Sequence, residues 1–361
     1  MSTTTTTTTT TPAVPVTIDR RPKDSMKSTW RQDESQWGFY HKFLNLLDAF
    51  YREDDKEVPV HAKSDKMPYL TEWSCHFWIL YHAAWPIALQ HAWKAATGRN
   101  MHSMAVFLLF TIAMQINSIH EVRVLRRLGH RFGFLDGDKH ERDDVPDVGV
   151  AKVFTSLQLT TTARPALAVF LAYSASSSMS LSWWLPLELA LYSIVLDGFF
   201  YAYHRSCHEL NGLWQYHRTH HLTKHPTPLL SSYADHEQEV LEIALIPLAT
   251  YAVLKYVFGL PMGFHDWWIC HEYIIFAEAF GHSGLRVWST TPGTATWLLK
   301  MFDCELMIED HDLHHRKGWR KSQNYGKQTR LWDRIFGTCG KRIEAADGNC
   351  DYENQFNFPL W

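Results

Sequence analysis

The chain of 361 residues carries 35 Lys and Arg against 38 Asp and Glu, a formal charge of −3 with histidine neutral, and is 46% apolar. That apolar share excludes a disordered chain and suffices for one large core or two smaller ones. A balanced charge without a basic block gives nucleic acid no electrostatic footprint. Six scattered cysteines with no C-x-x-C pair provide neither a disulfide framework nor a thiolate zinc site.

The chain begins with a threonine run, Thr3 to Thr11, that has no means of forming a core and lacks the basic start and apolar stretch of a signal peptide. Residues 1–66 are expected to form a disordered, polar N-terminal arm, with a short helix around Trp37–Tyr51. From about residue 70 apolar runs take over, and six are candidate membrane segments: His76–Trp93, Ser103–Ile119, Pro165–Met179, Trp183–Tyr203, Val240–Phe258 and Trp267–Phe280. None is free of polar residues. Glu188 and Asp197 interrupt the most lipid-like of them and would have to face protein. With a mean hydropathy of −0.26, a soluble helical protein with buried aromatic helices is the alternative.

Six segments place both termini and the loops after the second and fourth on one side. Arg123, Arg126, Arg127, Arg131, Arg205, Arg218, Lys224, Lys317, Arg320, Lys321, Lys327 and Arg330 fall there, whereas the other loops hold only Lys94 and Arg99, with Lys255 close by. By the positive-inside rule that side is cytosolic. The expected fold is therefore an all-α polytopic membrane bundle, about four to six segments in hairpins, with a cytosolic helical cap holding a histidine-rich di-metal site. Residues 67–160 would form the first hairpin and a linker, 161–340 the catalytic domain and 341–361 a tail.

Histidine carries the functional signal. Of 22 histidines, 13 lie between His204 and His315. His204 and His208 form an H-x-x-x-H pair. His217, His220 and His221 form H-x-x-H-H, and His311, His314 and His315 repeat it. Positions i, i+3 and i+4 share one helical face, so each box is a one-sided strip of imidazoles. A metal ion takes imidazole nitrogens at about 2.0–2.2 Å and about four to six ligands in all. Eight imidazoles are too many for one ion, and two ions leave room for about two more ligands. His236, in Asp235-His236-Glu237-Gln238-Glu239, and His282, in Gly281-His282-Ser283-Gly284, are the candidates. His225 reads as a loop residue, and His265 and His271 as core histidines. Imidazole suits iron, zinc, copper and nickel alike. Asp235, Glu237, Glu239, Glu309, Asp310 and Asp312 are positioned in sequence to receive the outer ring N–H groups. Trp267, Trp268, Phe276 and Phe280 are candidates for a substrate tunnel.

The order H-x-x-x-H, H-x-x-H-H, H-x-x-H-H resembles the fatty acid hydroxylase superfamily, the membrane histidine-box oxygenases that include sterol desaturases and C-4 methylsterol oxidases. The resemblance covers about residues 185–340. It extends to Asn324-Tyr325-Gly326, to Leu331-Trp332-Asp333-Arg334-Ile335-Phe336-Gly337-Thr338, and to the intervening positions His236 and His282. It departs at His236-Glu237-Gln238-Glu239, where the family's H-P-x-E has proline. The resemblance implies a multi-pass enzyme of the endoplasmic reticulum membrane with two iron ions, its active site facing the cytosol. Such an enzyme would use O2 to hydroxylate an unactivated C–H of a lipid-like substrate: a sterol, a sphingoid or fatty acyl chain, or a hydrophobic secondary metabolite. Desaturation or methyl oxidation on the same scaffold is the alternative. The chain has no H-P-G-G haem motif, so electrons from NAD(P)H would arrive through a separate cytochrome b5 and its reductase. The residues alone also admit a zinc-dependent membrane hydrolase or a His-rich metal transporter.

Overall fold

Apolar runs closed by glycine or proline become helices. The computed structural model describes residues 22–30, 34–49, 57–136, 142–176 and 180–361, so the threonine run lies outside the described residues. Helix α1 (Phe39–Leu46) precedes the long α2 (Glu72–Thr97), which Gly98 terminates in the left-handed region at φ 69°. Helix α3 (Ser103–Phe132) starts where the His102 ring accepts the Met104 amide. Helix α4 (Val150–Ala172) runs through Pro165, which the sequence reading took as the start of a segment. Helix α5 (Leu185–Glu209) has Pro186 in its first turn, and α6 (Asn211–His217) follows at once. A rod over His236–Val257 contains α7 (His236–Glu239) and α8 (Ile246–Ala252), with π-helical turns at Val240–Leu245 and Val253–Val257. Four further helices complete the chain: α9 (Phe264–Gly281), α10 (Thr296–Lys300), α11 (Ile308–Lys317) and α12 (Leu331–Phe336).

The molecule is a membrane helical bundle. Among the described residues three helices, Ser103–Phe132, Leu185–Glu209 and His236–Val257, are long and apolar enough to cross a membrane. The last expected segment behaves differently. Nearly every residue of α9 is buried, including His265, Asp266, His271 and Glu272, and it packs against α2, α3, α4, α5 and α11. Its polar groups find protein partners: Gln90 Oε1 lies 2.8 Å from His265, and Asn117 Nδ2 donates to Glu272 at 3.1 Å. Trp267 donates to the Tyr192 hydroxyl and stacks on Tyr251, and Trp268 donates to the Ala83 carbonyl. Helix α9 is thus the hub of the bundle.

Glu188 and Asp197 are fully buried against protein, as their place in an apolar run demanded. Glu188 accepts the Met262 amide. Asp197 accepts the amides of Lys327, Gln328 and Thr329 at 2.8–3.1 Å together with the Thr329 hydroxyl. The loop before α12 is thereby pinned to the middle of α5.

Two features add to the helical bundle. Strand β1 (Met67–Leu70) pairs in parallel with β2 (Cys350–Phe356), with Met67 opposite Cys350 and a bulge between Pro68 and Tyr69. The described part of the arm is docked: Trp30 is fully buried, Asp24 makes two bonds to Arg218, and Asp147 binds Thr29 and His41. Beside the sheet, Arg286 and Glu344 form a fully buried pair at 2.9 Å. Arg286 also reaches the carbonyls of Ala62 and Asp65, and Glu344 accepts the Asp136 amide. Removing one partner strands the other charge. Arg286→Met should therefore lower stability by about 3–5 kcal/mol, read as a fall in the unfolding midpoint of the detergent-solubilised protein. An unchanged midpoint would refute the pair's role.

Candidate metal centre

Four elements bring the histidines together. The C-terminal turns of α5 present His204 and His208. The end of α6 and the turn after it present His217, His220 and His221. His282 caps α9, and α11 presents His311, His314 and His315. The nine rings are buried and fall into two groups, His204, His208, His217, His221 and His314, and His220, His282, His311 and His315. Within each group the ligand atoms lie within 4.8 Å of one another.

Five rings have a fixed tautomer, because one nitrogen faces a carbonyl, which can only accept. Nδ1–H of His204 donates to Tyr325 at 2.7 Å, His220 to Tyr233 at 3.3 Å, His282 to Glu278 at 2.7 Å, His314 to Gln323 at 2.7 Å and His315 to Thr223 at 3.2 Å. In a neutral ring the remaining Nε2 is then a lone pair. His220 and His282 point those lone pairs at each other across 3.2 Å with no proton to share. His314 aims its Nε2 lone pair at His221 Nε2 across 3.0 Å, where His221, whose Nδ1 has no carbonyl partner, is free to donate, while His204 and His315 leave Nε2 buried without a partner. Protonation would relieve this, but burial opposes it. Burial, reinforced by neighbouring imidazoles, pushes His217, His220, His221, His311, His314 and His315 well below the usual histidine range, and burial takes His282 down to about 4. Converging neutral nitrogen lone pairs in a dry site fit metal cations.

The shell around the rings corrects the sequence reading. Backbone carbonyls take the outer N–H groups, and the neighbouring carboxylates instead lock the scaffold. Glu309 accepts the amides of Ile343, Glu344 and Ala345. Asp310 caps α11 at Met307 and pairs with Arg342, and Asp312 lies between Arg142 and Arg316. Asp235 holds Lys152 and Thr219, and Glu237 is exposed. Gly284, at φ 58°, is required here because a Cβ would sit 2.0 Å from the Arg142 guanidinium. Nothing in the sequence marked Tyr233, Thr223, Gln323 or Tyr325 as ring-holding residues, since their backbone performs the task.

His236 is not brought to the groups. It opens α7 with its side chain exposed and bonded to Glu239 at 3.0 Å, whereas Gln238, two residues on and about 200° round the helix, faces inward. Trp267, Trp268, Phe276 and Phe280 belong to the packed core. None of them lines the cavity between α3, α4, α7 and α9, whose walls include Glu121, Arg164, Gln238, Glu239, Glu242 and Glu278. Lys327 bridges Glu242 and Glu278 at 2.9 and 3.2 Å and lies over the Phe200 ring.

The fatty acid hydroxylase family model matches residues 189–338, which contain all nine clustered histidines. The fatty acid hydroxylase vlmA of a Lecanicillium species is 38% identical over 352 residues, covering 93% of this chain and 90% of that protein. The chain belongs to the fatty acid hydroxylase superfamily. Very-long-chain aldehyde decarbonylase GL1-11 of Oryza sativa, in both the indica and japonica subspecies, is 26% identical over 282 residues, covering 72% of this chain and 97% of those proteins. No solved structure matches. Membership in this superfamily supports a lipid-modifying oxygenase, and its histidine clusters suit a metal.

Two measurements check the centre. The purified hydroxylase-family protein should carry about two metal ions per chain, falling towards one in His217→Ala or His311→Ala and staying at two in His236→Ala, by elemental mass spectrometry. The metal-free protein should lose stability as pH falls below about 6.5. There the unfolded chain takes up protons that the depressed folded-state imidazoles refuse, so the unfolding midpoint should drop between pH 7 and 5.

Proposed function

We propose that the chain is a membrane-bound di-iron hydroxylase that inserts one oxygen atom of O2 into an unactivated C–H bond of a lipid-like substrate. The observation that carries this reading is the pair of inward-facing imidazole groups, five rings and four, in a chain of this superfamily. His204, His208, His217, His221 and His314 would hold one iron, and His220, His282, His311 and His315 the other. Bound iron supplies the redox chemistry by which O2, two electrons and two protons become one alcohol oxygen and one water.

The chain's own contribution is positional. The carbonyls of Tyr325, Tyr233, Glu278, Gln323 and Thr223 hold Nδ1 protons and so keep Nε2 free. The burial of all nine rings excludes water from the site. The Lys327 ammonium is held by Glu242 and Glu278 on the side of His220 and His282, a fixed positive charge beside the second group.

The reading places the enzyme in the endoplasmic reticulum membrane with the histidines at the cytosolic face. Arginines cluster at the end of α3 and around the cap, which supports that orientation. Electrons would come from NAD(P)H through a separate cytochrome b5 and its reductase. Residues 161–340 would form the catalytic domain.

Expression in a host with a matching reductase, followed by mass spectrometry of lipids under isotopically labelled O2, tests the proposal. One labelled oxygen should enter the product, and His314→Ala should reduce formation by at least about 100-fold while the protein stays membrane-inserted. Product formed without O2 would overturn the oxygenase reading in favour of hydrolysis. An alkene without label would replace hydroxylation by desaturation.

A further inference from the structure

Helix α3 has two working faces. Ser118, Glu121 and Val122 border the cavity beside the second imidazole group, and Ile116, His120, Arg123 and Arg127 lie on the opposite face. That outer face carries an exposed apolar row at four-residue spacing, Met104, Leu108, Ile112 and Ile116, each about half exposed. Such a row on a membrane-crossing helix lies against acyl chains. One turn further on, the row meets His120, then Arg123 and Arg127.

At that junction α2, α3 and the C-terminal residue enclose a groove of about 700 Å³. Tyr81, Trp85 and Trp361 supply aromatic walls of the kind found where hydrocarbon meets headgroups. One cation in it is unspent. Arg127 has no ion-pair or hydrogen-bond partner among the described residues, whereas Arg123 is neutralised by Asp48 at 2.9 Å.

The geometry points to a binding site for an anionic glycerophospholipid, with its headgroup on Arg127 beside the Arg123–Asp48 pair and an acyl chain along Ile116, Ile112 and Leu108. A groove of this volume takes a headgroup and the first carbons of its chains. The net charge selects the lipid class. A zwitterionic lipid would bring an ammonium to a rim whose Asp48 is already held by Arg123, while an anionic lipid brings a phosphate to an uncompensated guanidinium. The site is on the far side of α3 from the cavity beside the imidazoles, so it is separate from the metal centre.

The test uses the full chain, delipidated in neutral detergent, titrated with dioleoyl phosphatidylglycerol or dioleoyl phosphatidylcholine and read by native mass spectrometry and by the unfolding midpoint. Phosphatidylglycerol should remain bound and raise the midpoint, and phosphatidylcholine should do neither. Arg127→Gln should weaken retention about fivefold, Arg127→Lys should restore most of it, and Ile116→Asn should also weaken it. Metal content serves as the folding control in each variant. Equal retention of both lipids, or retention unchanged in Arg127→Gln, would overturn the proposal. So would insensitivity to Ile116→Asn with strong dependence on Arg127, which would mark the patch as a docking surface for an acidic protein.

Discussion

Five of the nine clustered imidazoles have Nε2 fixed as a lone pair, and His220 and His282 aim theirs at each other, a contact that is repulsive unless a cation occupies it. The rest of the fold serves to hold it. Rings with a free choice of tautomer would pair Nε2–H with Nε2 and close the site on itself. At five of the nine rings backbone carbonyls remove the choice, because a carbonyl does not donate. Three of the five carbonyls are in turn held in place: those of Gln323 and Tyr325 belong to a loop fixed by Asp197 and Asp333, and that of Glu278 belongs to the buried end of α9. The acids that neighbour the rings act one layer further out, against arginines and amides.

Helix α9 explains how a membrane bundle delivers a ligand that is not on a box. Its polar residues would be costly against lipid, but surrounded by α2, α3, α4, α5 and α11 they find partners and fix the height and rotation of the helix. His282 at its end is thereby set opposite His220 and His311. The same enclosure removes its aromatic side chains from the cavity beside the metal groups and spends them on packing.

The boxes were legible in the sequence because helical spacing is a local property, and one pair at i, i+4 with two strips at i, i+3 and i+4 declares shared faces without knowledge of the fold. His282 was legible through its place in the family pattern. The placement of His236 depends on the rotation of a short helix, which the sequence does not fix, and α7 turns Gln238 inward instead. The carbonyl shell left no trace, since any residue carries a carbonyl. The β1–β2 pairing was equally hidden, as its partners lie about 280 residues apart and β2 is mostly polar and exposed. Pro165 marked a break in the sequence reading, yet α4 passes through it, because tertiary packing can outweigh one lost hydrogen bond.

Asp197 has a consequence for biosynthesis. During translation α5 emerges with a carboxylate near its midpoint, and the amides that satisfy it are encoded 130 to 132 positions later. An unsatisfied aspartate at the centre of a membrane helix costs about 2.5–3.5 kcal/mol during insertion. The nascent helix therefore has reason to linger at the insertion machinery until the downstream loop arrives, which ties completion of the membrane portion to completion of the metal-binding portion.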